Sequence, residues 1–162
     1  MWSYGATKRA GVDPPETEGF LLSASTIDPA TRQAFLETHY LVDGATPLNL
    51  QVGIASASLA ARDEAQHVGS CVFITACNPW CQSLDAAANA QRQAILAAEL
   101  QQRGLAFVEG MGQHPSGDWP GEASFLVWDL SLEAAKALGN KHQQNAIIWC
   151  GDDAVPQLIT LQ

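Results

Sequence analysis

The chain has 162 residues, 47% of them hydrophobic, enough to build one core that needs neither a metal nor disulfides to stand. Eight Lys and Arg against 17 Asp and Glu give a net charge of −9, which repels phosphates and argues against nucleic acid or an anionic membrane as partner, although one local basic cleft stays open. No apolar run approaches the ~18 residues of a membrane span, and residues 1–27 lack a basic start followed by an apolar block, so a cytoplasmic protein with reduced Cys71, Cys77, Cys81 and Cys150 is expected.

Residues 1–27 mix Gly, Pro, charge and Ser/Thr without a sustained period and read as a disordered or extended arm, in which Phe20-Leu21-Leu22 can dock on the core. Asp28-Pro29 is a helix start, since the carboxylate caps free N–H groups and proline fits the first position; helix is expected from Ala30 to about Thr38. His39–Val42 and Leu48–Gly53 flank a turn-rich loop and read as a hairpin extending one edge of the sheet. Ser58 is then expected to cap a short helix over Leu59–Gln66, and Cys71–Thr75 is an apolar run suited to a central strand. A long helix, about Leu84–Arg103, follows with Ser83 as its cap and Gly104 as its stop. Leu105–Glu109 and Ser124–Leu130 are strands, Ser131 caps a helix over Leu132–Leu138 ending at Gly139-Asn140, and Ala146–Cys150 is the last strand.

From Cys71 to Cys150 the order is β-α-β-β-α-β. That predicts an α/β (α+β) domain over 28–155 with a ferredoxin-like antiparallel sheet in the order 4-1-3-2, both helices on one face, and 156–162 as a C-terminal tail. In this topology the end of the first strand, the start of its helix and the starts of the third and fourth strands meet at one end of the sheet. Thr75, Asn78, Ser83, Asn89, Arg92, Trp119, Glu122, Gln144 and Asn145 collect there. Asn89 and Arg92 share a helical face, and a positive helix end with one arginine can hold a phosphate or carboxylate. The plainer alternative is that Arg92 pairs with Glu122 and Asn89 caps a loop carbonyl.

The string Phe73-Ile74-Thr75-Ala76-Cys77-Asn78-Pro79-Trp80, followed by Ser83, Asn89 and Arg92, then Trp119, Glu122 and Ser124-Phe125-Leu126-Val127, and finally Gln144-Asn145-Ala146, carries a resemblance. It resembles the bacterial domain-of-unknown-function family 3293, whose pattern runs TAWNP, S…N..R, W..E.SFLV, QNA, over about residues 35–150. The resemblance implies that Thr75, Asn78, Pro79, Asn89, Arg92, Glu122 and Gln144 occupy motif positions, and it implies no established activity. Two departures stand out. Cys77 replaces the usual tryptophan, and Cys81 stands where a small polar residue is common.

Sharper chemistries find little support. Cys77 and Cys81 lack redox or zinc spacing, and no matching ligand pair follows, so neither a metal nor a cofactor is expected. A cysteine or serine nucleophile needs a base, and His114, in the glycine-rich segment Gly110–Asp118, is the one histidine on a lid-like loop; an ordinary hairpin loop is the plainer reading. Neither a P-loop nor a dinucleotide fingerprint is present. The expected function is binding of a small polar or anionic ligand, with Arg92 on its charge, Asn78, Asn89 and Gln144 as hydrogen-bond partners and Glu122 orienting Arg92. The alternatives are an enzyme using Glu122 as acid/base or Cys77/Cys81 as nucleophile, and an interaction module that docks a protein through a sheet edge or Trp80 and Trp119. A homo-oligomer is compatible with all three.

Overall fold

A computed structural model describes residues 27–161. The expected arm therefore lies outside the described residues, save Ile27 at its end. The described residues form α1 (Pro29–Glu37), β1 (His39–Val42), β2 (Leu48–Leu50), α2 (Ala57–Gln66), β3 (Cys71–Ile74), α3 (Ala86–Gln102), β4 (Phe107–Gln113), β5 (Glu122–Trp128), α4 (Leu132–Lys141), β6 (Ala146–Cys150) and β7 (Gln157–Thr160), with a 3-10 turn at Pro79–Cys81. No helix among them is long and apolar enough to cross a membrane.

The strands make one sheet in the order β2-β1-β4-β5-β3-β6-β7, every neighbouring pair antiparallel. The sheet thus has seven strands rather than the expected four and its full order is not that of a ferredoxin-like sheet, although the four expected strands keep the order 4-1-3-2 inside it as β6-β3-β5-β4. The reason is pairing at both sides: the β1–β2 hairpin adds to β4, and β7 adds to β6, so neither β4 nor β6 is an edge. Residues 157–160, expected within a tail, form that last strand. β3 lies between β5 and β6, in register Phe73↔Leu126 and Phe73↔Ile148, as the apolar run Cys71–Thr75 requires of a strand buried on both faces.

Alternation along β3, β5 and β6 splits the core in two. Val72, Ile74, Phe125, Val127 and Ile147 pack under Leu96 and Leu100 of α3 and Ala135 and Leu138 of α4. Cys71, Phe73, Leu126, Trp128 and Ile148 face the other way, with Tyr40 and Val42 of β1 and Leu59 of α2. Gly139, expected to end α4, lies inside it because a Cβ there would come within 2.9 Å of Ile147 Cγ2, so the helix can sit close on β6 only without a side chain.

The caps explain the remaining differences. Asp28 Oδ1 accepts from Thr31 N at 3.0 Å and Ser131 Oγ from Ala134 N at 3.2 Å, as expected. Ser56 rather than Ser58 caps α2, and Asp85 rather than Ser83 caps α3, accepting from Ala88 N at 2.8 Å. β4 runs on through Gly110-Met111-Gly112 because β1 pairs with it there, His39↔Gln113 to Val42↔Gly110, so sheet pairing overrides the weak strand propensity of glycine. The lid-like loop expected from Gly110 begins only after Gln113.

Candidate functional site

The end of the sheet where β3 stops and β5 and β6 start is closed by two loops that lean on each other. The β3–α3 loop carries Asn78, Trp80 and Cys81 at φ 46°, 52° and 58°, left-handed conformations that side chains other than Asn adopt at a cost of about 1 kcal/mol or more. Side-chain hydrogen bonds hold it. Asn78 and Asn89 bond reciprocally, Asn78 N to Asn89 Oδ1 at 2.9 Å and Asn89 Nδ2 to Asn78 Oδ1 at 2.8 Å, and Asn78 Oδ1 also accepts from Leu84 N at 3.0 Å. Trp80 N donates to Gln143 O at 2.7 Å on the α4–β6 loop. Gln144 Nε2 donates to Cys77 O at 3.0 Å and His142 O at 3.2 Å, tying the two loops together.

Arg92 belongs to this strap. Its Nε donates to Ala76 O at 2.6 Å, one terminal nitrogen to His142 O at 2.9 Å and the other to Gln143 Oε1 at 3.3 Å. No ion pair among the described residues joins it to Glu122. The expectation that Glu122 orients Arg92 does not hold, because the turned loop backbones present carbonyls nearer to the guanidinium than any carboxylate. Glu122 instead accepts from Asn78 Nδ2 at 2.7 Å.

Beside these loops, on the face of the sheet opposite α3 and α4, is a cavity of about 440 Å³, within the usual range for small-molecule sites. Its apolar wall is Tyr40, Phe73, Ala146 and Ile148 on the sheet and Ala30, Ala34 and Phe35 on α1. Thr75, Asn78, Ser83, Trp119, Glu122, Ser124, Gln144 and Asn145 make its polar part, with Cys81 and His114. Seven of the nine residues expected at this end of the sheet thus line one cavity. Asn89 and Arg92 do not; they act behind it, on Asn78 and on the loop carbonyls.

α1 closes the cavity from above although none of its residues is fully buried. Tyr40 Oη donates to Phe35 O at 2.6 Å, and Glu37 Oε2 meets His114 Nε2 at 3.3 Å, with His114 edge-on to Trp119 at 4.8 Å between ring centres. Sequence reasoning left α1, Tyr40 and Ser124 out of the site. The alternation in Gly110-Met111-Gly112 was the available signal, for in a strand it puts two residues without side chains on one face. A Cβ at Gly110 would fall 2.5 Å from Leu41 O and 2.8 Å from Phe73 Cε2, whereas at Gly112 the nearest atom is Thr38 Cγ2 at 3.7 Å. Neighbours demand glycine at 110; at 112 its effect is open space.

Most donors in the cavity are spent on the protein itself. Thr75 Oγ1 donates to Ala123 O at 2.7 Å, Ser124 Oγ to Glu122 O at 3.1 Å, and Asn145 Nδ2 to Cys81 Sγ at 3.0 Å. Both ring nitrogens of His114 are engaged, by Ser116 and Glu37. Burial raises the proton affinity of the Glu122 carboxyl, an effect that the Asn78 bond opposes. Burial likewise raises the Cys77 and Cys81 thiols, and neither sulfur has a histidine among its hydrogen-bond partners, so the nucleophile reading lacks its base. No group of three or more His, Cys, Asp or Glu among the described residues is arranged to hold a metal ion.

The family model described as Protein of unknown function (DUF3293) matches residues 74–147. Over residues 74–147 the chain is similar to this family. The DUF3293 segment runs from the end of β3 into β6 and contains both loops, Arg92, Glu122 and Gln144. It is shorter than the stretch 35–150 over which the resemblance was read, and α1, β1 and Tyr40, which close the cavity, lie outside it. Neither a curated protein nor a solved structure matches the chain.

Proposed function

We propose that this protein is a small-molecule binding domain whose ligand lies between α1 and the sheet, its polar head at Glu122, Asn78 and Gln144 and its apolar body on Phe35, Tyr40, Phe73 and Ile148. The observation that carries this reading is the coincidence of a 440 Å³ cavity with the motif residues Thr75, Asn78, Glu122 and Gln144. A mixed wall of this kind is what ligand sites generally present: apolar surface for affinity and a few placed polar groups for orientation. The anionic ligand expected from Arg92 loses its warrant, since that guanidinium is committed to carbonyls outside the cavity wall.

A fragment library screened by thermal shift against the wild type and Gly112→Phe tests this. The backbone at Gly112 is not left-handed and a Cβ there meets nothing closer than 3.7 Å, so the phenylalanine fills the cavity without backbone strain. Fragments that raise the melting temperature of the wild type should leave that of Gly112→Phe unchanged. Equal shifts in both proteins, or no fragment that shifts the wild type, would refute the reading.

The raised proton affinity of Glu122 favours a second reading, an enzyme in which this carboxyl gives or takes a proton at a bound substrate. It predicts that some fragment retained by the wild type is chemically changed on incubation and is unchanged with Glu122→Gln.

A further inference from the structure

The binding reading leaves the ligand's chemistry open, and the donor–acceptor inventory of the cavity narrows it. Asn78 is oriented by its partners: its oxygen faces Leu84 N and Asn89 Nδ2, so its amide nitrogen must face Glu122. Gln144 is fixed the same way, because only an NH2 group can serve the two carbonyls of Cys77 and His142. Gln144 Oε1 and Glu122 Oε1 are then left without a hydrogen-bond partner among the described residues, on side chains that line the cavity. Among the described residues, the donors without a protein acceptor are the Ser83 hydroxyl, the Trp119 indole and the Cys81 thiol, all on exposed residues, and the second N–H of the Asn78 and Asn145 amides. The cavity wall among the described residues has no Lys or Arg, and Glu122 has no cationic partner.

An interior rich in acceptors and holding one uncompensated carboxylate selects against anions and for a head that brings both N–H groups and positive charge. We propose that the ligand is an amine cation, a primary ammonium on an apolar chain or ring, whose N–H groups bond Glu122 Oε1 and Gln144 Oε1. The net charge of −9 favours the encounter in the same direction. This rests on the binding reading above and goes beyond it by naming the class of ligand.

Three probes of one shape separate the possibilities: n-hexylammonium, 1-hexanol and hexanoate, each titrated into 15N-labelled full-length protein and followed by amide shifts of Thr75–Asn78 and Ala123. Hexylammonium should bind the wild type about tenfold more tightly than hexanol, the margin of a charge-assisted over a neutral hydrogen bond, and hexanoate should bind weakest. Glu122→Gln keeps an oxygen for Asn78 and should bring hexylammonium to within about twofold of hexanol; Gly112→Phe should abolish the shifts from all three. Equal binding of hexanol and hexylammonium to the wild type, tighter binding of hexanoate, or an ammonium preference that survives in Glu122→Gln would overturn the amine inference while the cavity still binds. No shift at these amides from any probe would overturn the binding reading with it.

Discussion

Removing Arg92 separates its role as a strap from a role in charge recognition. Arg92→Ala deletes donors to Ala76 O at 2.6 Å, His142 O at 2.9 Å and Gln143 Oε1 at 3.3 Å. His142 O keeps Gln144 Nε2 at 3.2 Å, and the Gln143 contact is long and exposed, so the main cost falls on Ala76 O, carried by a fully buried residue. An orphaned buried carbonyl costs about 1–3 kcal/mol and a second lost bond about 1 kcal/mol, giving a loss of about 2–4 kcal/mol. At roughly 3 °C per kcal/mol for a chain of this size the melting temperature should fall by about 6–12 °C. Arg92→Lys, able to reach one carbonyl but not two, should lose about half as much. Circular-dichroism melts measure this, and a cycle with Glu122→Gln adds the decisive readout: the two changes should be additive within about 0.5 kcal/mol, as for groups that do not touch. A melting temperature within 2 °C of the wild type for Arg92→Ala, or a coupling above about 1 kcal/mol with Glu122, would refute this account of the strap.

Gly110→Ala should destabilise by about 1–3 kcal/mol in urea titration because its methyl meets the Leu41 carbonyl and Phe73, while Gly112→Ala, with nothing closer than 3.7 Å, should be neutral or slightly stabilising; equal effects would contradict the packing described. Of the four thiols only the one on Cys81 is exposed, so a thiol reagent should modify one group quickly in the native protein and the other three only on unfolding; a second fast thiol would count against the burial of Cys71, Cys77 and Cys150. Because burial raises the Glu122 pKa above its unfolded value, the folded state holds its proton more tightly, and stability falls as pH rises from about 4.5 through the raised folded value. Glu122→Gln should therefore be more stable than the wild type at pH 7 and show no advantage at pH 3.5; an advantage independent of pH would refute the assignment.

The parts of the fold legible in sequence were those where one local signal had no competitor. The run Cys71–Thr75 is apolar on both faces and became β3, buried throughout; Asp28-Pro29 and Ser131 offered caps that nothing nearer displaced. Ser83 failed because Asp85 stands closer to the helix start and Asn78 Oδ1 takes Leu84 N, a bond between residues six apart across a left-handed loop that no periodicity announces. β7 offers only Leu158 and Ile159 between polar residues and owes its existence to β6 beside it. For the candidate site, topology alone brought Asn78, Glu122 and Gln144 to one end of the sheet. What it could not supply was the partner of Arg92, since sequence counts charges and overlooks the carbonyls that turned loops present, or the placement of α1, which rests on the Tyr40 bond to Phe35 O and on the contact of Glu37 with the sequence-distant His114.

The same physics that misled the reading of Arg92 sets the polarity of the cavity. Two loops that leave strands and bend sharply present carbonyls that no ladder or helix satisfies, and those of Ala76, Cys77 and His142 are met by side-chain N–H groups from Arg92 and Gln144. The Gln144 bonds spend that amide's donors and leave its acceptor end, and the Arg92 bonds leave Glu122 without an arginine partner. Under the proposed binding of an amine cation, holding the loops and choosing the ligand's charge are one arrangement. A change that frees Arg92 from the loop carbonyls, were it to reach Glu122, would both loosen the closed end of the sheet and neutralise the carboxylate, so stability and preference for a cation should be lost together.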